Sequence, residues 1–133
     1  MATYYADAGA DWVEPLFSDA GNAYIVTGEY NLTTSITTSD EIVITKVPGG
    51  CKALFLLLSD GGSGATYDIG IDSDGDVLGN DLTSSDNGLV LTGLGEILGD
   101  AGDSVDIKVT FSAAPTASAT LKVAVCYSIV DVG

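Results

Sequence analysis

Residues 119–130 read Ala-Thr-Leu-Lys-Val-Ala-Val-Cys-Tyr-Ser-Ile-Val. Leu121, Val123, Val125, Tyr127 and Ile129 occupy every second position, with Thr120, Lys122, Ala124, Cys126 and Ser128 between them. A period of two, rich in β-branched residues and free of Gly and Pro, is the pattern of a half-buried β-strand. The run is long for a strand, where about five or six residues is usual. Burying five such side chains is worth on the order of 10 kcal/mol gross. A strand like this is expected at the middle of a sheet, with earlier strands laid against it.

Working back from that run, Ser104–Phe111 alternates just as clearly. Val105, Ile107, Val109 and Phe111 point one way; Asp106, Lys108 and Thr110 point the other. The short link Ala113–Ala117 predicts that these two strands are antiparallel neighbours. Leu89–Leu98 carries Gly93 and Gly95, which weaken a helix and favour a short strand and turn. Asp72–Gly88 is polar and Gly-rich and reads as a loop region holding one weak strand. Ala65–Asp72 places Tyr67, Ile69 and Ile71 on one face. Cys51–Ser59 is almost continuously apolar, the pattern of a strand buried on both faces. Asp40–Val47 ends at the turn Pro48-Gly49-Gly50, and Tyr24–Leu32 opens the series. The rhythm predicts an all-β fold: an antiparallel two-sheet β-sandwich or jelly roll of about seven or eight strands.

Composition agrees. The chain of 133 residues fits one domain, and 46% apolar content argues against disorder. Its 17 glycines imply many tight turns. Nineteen acidic residues face four lysines, with no Arg and no His, for a net charge of −15. Nucleic-acid binding needs cations to displace phosphate counterions, so that partner is excluded, and an anionic membrane surface would repel the chain. The acidity reads as a solubilising coat or as complementarity to a basic partner. Residues 1–20 show no basic n-region or apolar h-region, and Ala53–Leu58 is far too short to cross a bilayer. Synthesis and folding in a cytoplasm are therefore expected, with Cys51 and Cys126 as two buried thiols rather than a disulfide.

Little in the chain suits chemistry. Asp72-Ser73-Asp74-Gly75-Asp76 alternates carboxylates as hard-cation loops do, but Gly falls at the fourth position and the twelfth is Thr83. A solvated acidic turn is the simpler reading, and a looser calcium loop completed by Asp81 or Asp86 the sharper one. Neither Gly61–Gly64 nor Gly93–Gly99 is followed by Gly-Lys-Ser/Thr, so no phosphate loop is present. Without His, a Ser or Cys nucleophile lacks its usual base. No catalytic residue, cofactor or metal is assigned, and the chain is not expected to be an enzyme.

Residues 1–22 stand apart, with residues 23–133 forming the domain. Tyr4, Tyr5, Trp12 and Phe17 place four of the aromatic residues in a segment without helical or strand period, broken by Pro15. The plain reading is a segment folded back over its own domain. The functional one is an N-terminal arm whose four aromatic side chains dock on a neighbouring subunit or partner.

Three signatures carry a family resemblance: Asp40-Glu-Ile-Val-Ile-Thr-Lys-Val-Pro-Gly49, Ala65-Thr-Tyr-Asp-Ile-Gly-Ile71 and Pro115-Thr-Ala-Ser-Ala-Thr-Leu-Lys-Val-Ala-Val-Cys-Tyr127. From Leu32 onward the chain resembles tailed-phage head decoration, or capsid cement, proteins. The resemblance implies a β-sandwich or jelly-roll subunit on the outer capsid surface, bound to major capsid protein and commonly homotrimeric. It also implies no reaction and no cofactor. Two other readings stay open on the sequence: a different virion component, such as a head–tail connector or tail-fibre accessory protein, and a carbohydrate-binding module stacking sugars on Tyr4, Tyr5 or Trp12.

Overall fold

The computed structural model describes residues 2–5 and 23–129, and it is built of strands. In chain order these are β1 (Thr3–Tyr5), β2 (Ala23–Leu32), β3 (Glu41–Pro48), β4 (Cys51–Asp60), β5 (Thr66–Ile71), β6 (Asp74–Leu82), β7 (Gly88–Val90), β8 (Ile97–Leu98), β9 (Ser104–Ala113) and β10 (Ala119–Ser128). A 3-10 turn, Ser84–Asp86, is capped by Thr83. The eight main strands match the expected number; β1 and β8 are two short additions.

Two sheets form. Sheet A runs β1-β3-β9-β5-β6, and sheet B runs β2-β10-β4-β7 with β8 on one end of β4. The pairs β2–β10, β3–β9, β4–β7 and β5–β6 are all antiparallel. They are the rungs of one long hairpin that has been rolled up. The further pairs β10–β4 and β9–β5 then close each sheet. This is the jelly-roll order. The expected all-β two-sheet sandwich is therefore present.

Strand β10 lies inside sheet B, between β2 and β4, where its alternation placed it. Leu121, Val123, Val125 and Tyr127 point inward and are buried. They meet Ile42, Ile44, Ile69, Ile107 and Val109 from sheet A in one core.

Three expectations are corrected. Strands β9 and β10 are not sheet neighbours: β9 belongs to sheet A and β10 to sheet B, so the link after Ala113 crosses between layers. A short connection constrains distance, and a sandwich can meet that constraint across its edge as well as within a sheet. Strand β4 is not buried on both faces, since Leu57 on its outer side is 40% exposed. Residues 3–5, read as periodless, form β1, which pairs in parallel with β3 through Thr3↔Glu41, Tyr4↔Ile42 and Tyr5↔Val43. The threonine hydroxyl of Thr3 bonds Glu41 Oε1 at 2.9 Å.

At one corner the two sheets approach closely, because Gly28 on β2 lies against the backbone of Ile44 on β3. At another, Gly50 takes φ 81° in the β3–β4 turn, a left-handed conformation that glycine adopts at no steric cost.

Candidate interaction surface

The pleat of sheet B sorts its residues into two sets. Its outer face follows from the registers of β2, β10 and β4, row by row. One row is Ile25, Cys126 and Phe55; the next is Thr27, Ala124 and Leu57; the third is Glu29, Lys122 and Ser59. Leu89 of β7 continues the second row, opposite Leu57. An antiparallel sheet usually turns polar residues to the solvent side. Here that side is largely apolar.

Ile25 is 60% exposed and Leu89 is 58% exposed. With Leu57, Leu91, Leu94 and Ile97 they are the large exposed apolar residues among those described. Ile97 pairs with Lys52 on β4, and Leu91 and Leu94 lie in the β7–β8 loop. That loop is tied to β4 by Gly95 N–H to Ala53 O and Ala53 N–H to Glu96 O, both 2.8 Å. Register therefore puts Ile25, Leu57, Leu89 and Ile97 on the outer side of sheet B. A groove of about 550 Å³ crosses β2, β10 and β4 there, with Thr27, Glu29, Leu57 and Lys122 in its walls.

Charge is segregated the same way. Lys46 and Lys108 belong to sheet A, and both are neutralised: Lys46 by Asp106 at 3.7 Å, Lys108 by Glu41 at 3.4 Å and by a short contact with Asp72. The hydrogen bond that Lys108 donates to Asp72, with the charges of Asp72 and Glu41, raises the Lys108 pKa. Lys52 and Lys122 belong to sheet B and make no ion pair among the described residues. The carboxylates of Asp40, Glu41, Asp68, Asp72, Asp74, Asp76, Asp81 and Asp106 lie on sheet A and its turns. The molecule has an acidic side and an apolar side edged with unpaired cations.

The residues singled out from the sequence fall elsewhere. Tyr4 is half-buried at the β1 edge, its ring 5.9 Å from that of Tyr30 and tilted by 45°. Tyr30 is pushed up in pKa by its burial and then by Tyr4. Tyr5 belongs to β1. Trp12 and Phe17 lie outside the described residues. Cys51 and Cys126 are both buried and unbonded, as expected. Burial holds the Cys51 thiol up to about 12, well above the range of a reactive thiol.

The acidic turn makes local contacts. Asp72 accepts from Lys108, and a side-chain hydrogen bond shared with Asp74 raises the pKa of Asp76. Among the described residues no three Asp, Glu or Cys side chains converge as a metal site. Sequence reasoning missed the surface residues Ile25, Phe55, Leu57, Leu89 and Lys122, of which Phe55 and Leu57 alone carried a signal. That signal is the almost continuous apolarity of Cys51–Ser59, which in sequence looks the same as burial on both faces.

No protein-family model and no curated protein matches the chain. Two solved structures share its fold. The chain is similar to one in the capsid asymmetric unit of cyanophage Pam1, with TM-score 0.69 and 19% identity, over 92% of this chain and 96% of that one. It is also similar to a chain in the capsid of Ralstonia phage GP4, with TM-score 0.73 and 19% identity, over 96% of this chain and 97% of that one. The jelly roll described above is thus one that phage capsids contain, matched nearly end to end.

Proposed function

We propose that the protein is a phage virion structural protein that decorates and stabilises the outer surface of the capsid. It binds major capsid protein, self-associates as a homotrimer, and carries out no reaction. The observation that carries this reading is the near end-to-end match to chains of two phage capsids, for a subunit whose surface is divided into an acidic side and an apolar side. Those two features suit a protein that sits on another protein layer and turns its charge to water. The three signatures shared with decoration proteins support the same choice. Residues 1–22 act as an arm in this scheme, with Tyr4, Tyr5, Trp12 and Phe17 at subunit or shell contacts. Three linked copies let modest contacts sum to firm attachment.

The test is a mass measurement by light scattering, followed by mixing with capsids that lack decoration. Three-copy particles that co-sediment with the capsids are expected. A stable monomer that leaves capsids bare overturns the reading. Deleting residues 1–22 is expected to abolish assembly while the domain stays folded.

A further inference from the structure

Resting on that reading, we infer that the outer face of sheet B is the surface that seats on the capsid shell. Its partner is a protein surface of aliphatic side chains edged with carboxylates. Ile25, Phe55, Leu57 and Leu89 supply the apolar contact, and Lys52 and Lys122 meet the carboxylates.

Three observations select this face and this occupant. The first is charge. Lys52 and Lys122 are the two lysines without an ion pair among the described residues, and both edge the apolar rows of one face. Within the rows that β2, β10 and β4 place on that face, one carboxylate stands against them, Glu29, opposite Lys122 on the neighbouring strand. Two copies joined through like faces would bring four lysines against two glutamates. A partner that itself supplies carboxylates leaves no such surplus, and desolvated charges at an interface are favourable only when paired.

The second is extent. Strands β2, β4 and β10 each have 10 residues. At about 3.3 Å per residue and 4.8 Å between strands, these three strands make a face of roughly 33 by 14 Å, and the three-residue β7 widens part of it. That flat footprint is more than half of the ~800 Å² per partner of a standard protein interface, before side-chain relief and the β7–β8 loop are counted.

The third is polarity of the whole subunit. Seating sheet B on the shell points sheet A, with Asp68, Asp106 and the β5–β6 turn, away from it. A chain carrying −15 would repel its neighbours on a crowded shell least with that coat turned to solvent.

The experiment uses the full chain and undecorated capsids, with Leu57→Glu and Lys122→Glu made separately. Lys122 is exposed, so its variant keeps the test valid if Leu57→Glu fails to fold. Asp76→Asn, on the opposite side, is the control. Capsid affinity is expected to fall at least tenfold in each sheet B variant, with particle mass in solution unchanged and the control binding like the parent. Unchanged affinity in Lys122→Glu overturns the inference. A loss of self-association instead assigns the face to copy–copy contact and overturns it too. If the parent itself ignores capsids, the decoration reading falls, and that outcome is distinct because it appears before any variant is made.

Discussion

The hydroxyl of Tyr67 donates to Oδ2 of Asp60 at 3.1 Å, with both residues buried. The same carboxylate accepts from Ser63 Oγ and from the N–H groups of Gly62 and Ser63, each at 2.9 Å. Asn87 accepts from the Asp60 N–H at 2.8 Å and donates to its carbonyl at 3.1 Å. One acid thus ties the β4–β5 turn, the wall of β5 and the end of the 3-10 turn together. A buried carboxylate is tolerated where its oxygens are satisfied in this way. Removing it strands several donors. Asp60→Ala is expected to cost about 3 kcal/mol or more, and Tyr67→Phe about 1 kcal/mol, in urea unfolding. Equal costs for the two variants would contradict a shared hub.

Alkali should unfold the protein ahead of ordinary side-chain chemistry. Burial pushes Cys51 up to about 12, and burial together with Cys51 pushes Tyr127 up to about 12. Tyr67 is raised further, by burial and then by the charge of Asp60. The folded state therefore holds these protons more tightly than the unfolded chain. The stability they provide is complete below roughly pH 9 and is lost as pH climbs toward the folded values. The Tm is expected to fall progressively above about pH 9, with a shallower fall in Tyr127→Phe. Calorimetry between neutral and strongly alkaline pH checks this.

Glycine at position 28 is a steric requirement. A Cβ there would run into the backbone oxygen of Ile44, where β2 passes β3 at the corner of the sandwich. Neither backbone can yield without breaking its own ladder. Gly28→Ala is expected to cost about 2 kcal/mol or more. Gly75, which has nothing within 4 Å of its would-be Cβ, should accept Ala within about 0.5 kcal/mol. Denaturant midpoints compare the two.

Calcium is expected to leave stability unchanged. The carboxylates of Asp72, Asp74 and Asp76 are engaged with Lys108 and with each other, and no group of three converges among the described residues. Tm with added calcium and with chelator should coincide; a rise of several degrees would restore the looser cation loop.

The strands were legible because alternation reports burial directly. Val105, Ile107, Val109 and Phe111 point inward on β9, as Leu121, Val123, Val125 and Tyr127 do on β10. Pairing was less legible, since a five-residue link fits either a hairpin or a crossing between layers. The outer face of sheet B was misread for a physical reason. An apolar residue on the outer side of a strand looks the same in sequence whether a second layer of its own chain covers it or a separate molecule does. Leu57 and Phe55 are of this kind. Lys52 and Lys122 could not be told from Lys46 and Lys108 until the carboxylates near each were placed. Tyr4, expected to dock on a neighbouring subunit or partner, packs in this structure against Tyr30 of its own chain.

The rolled hairpin also governs timing. Ala23 pairs with Ser128 and Leu32 with Ala119, so the outermost rung joins the two ends of the domain. During translation sheet B stays unfinished until the last strand has left the ribosome, and until then β2 and β4 present bare edges. Closing such distant pairs is slow, on the order of milliseconds to seconds. Every fresh chain therefore passes through an interval in which aggregation competes with completion, and the heavy negative coat that shields the finished subunit already protects the unfinished one.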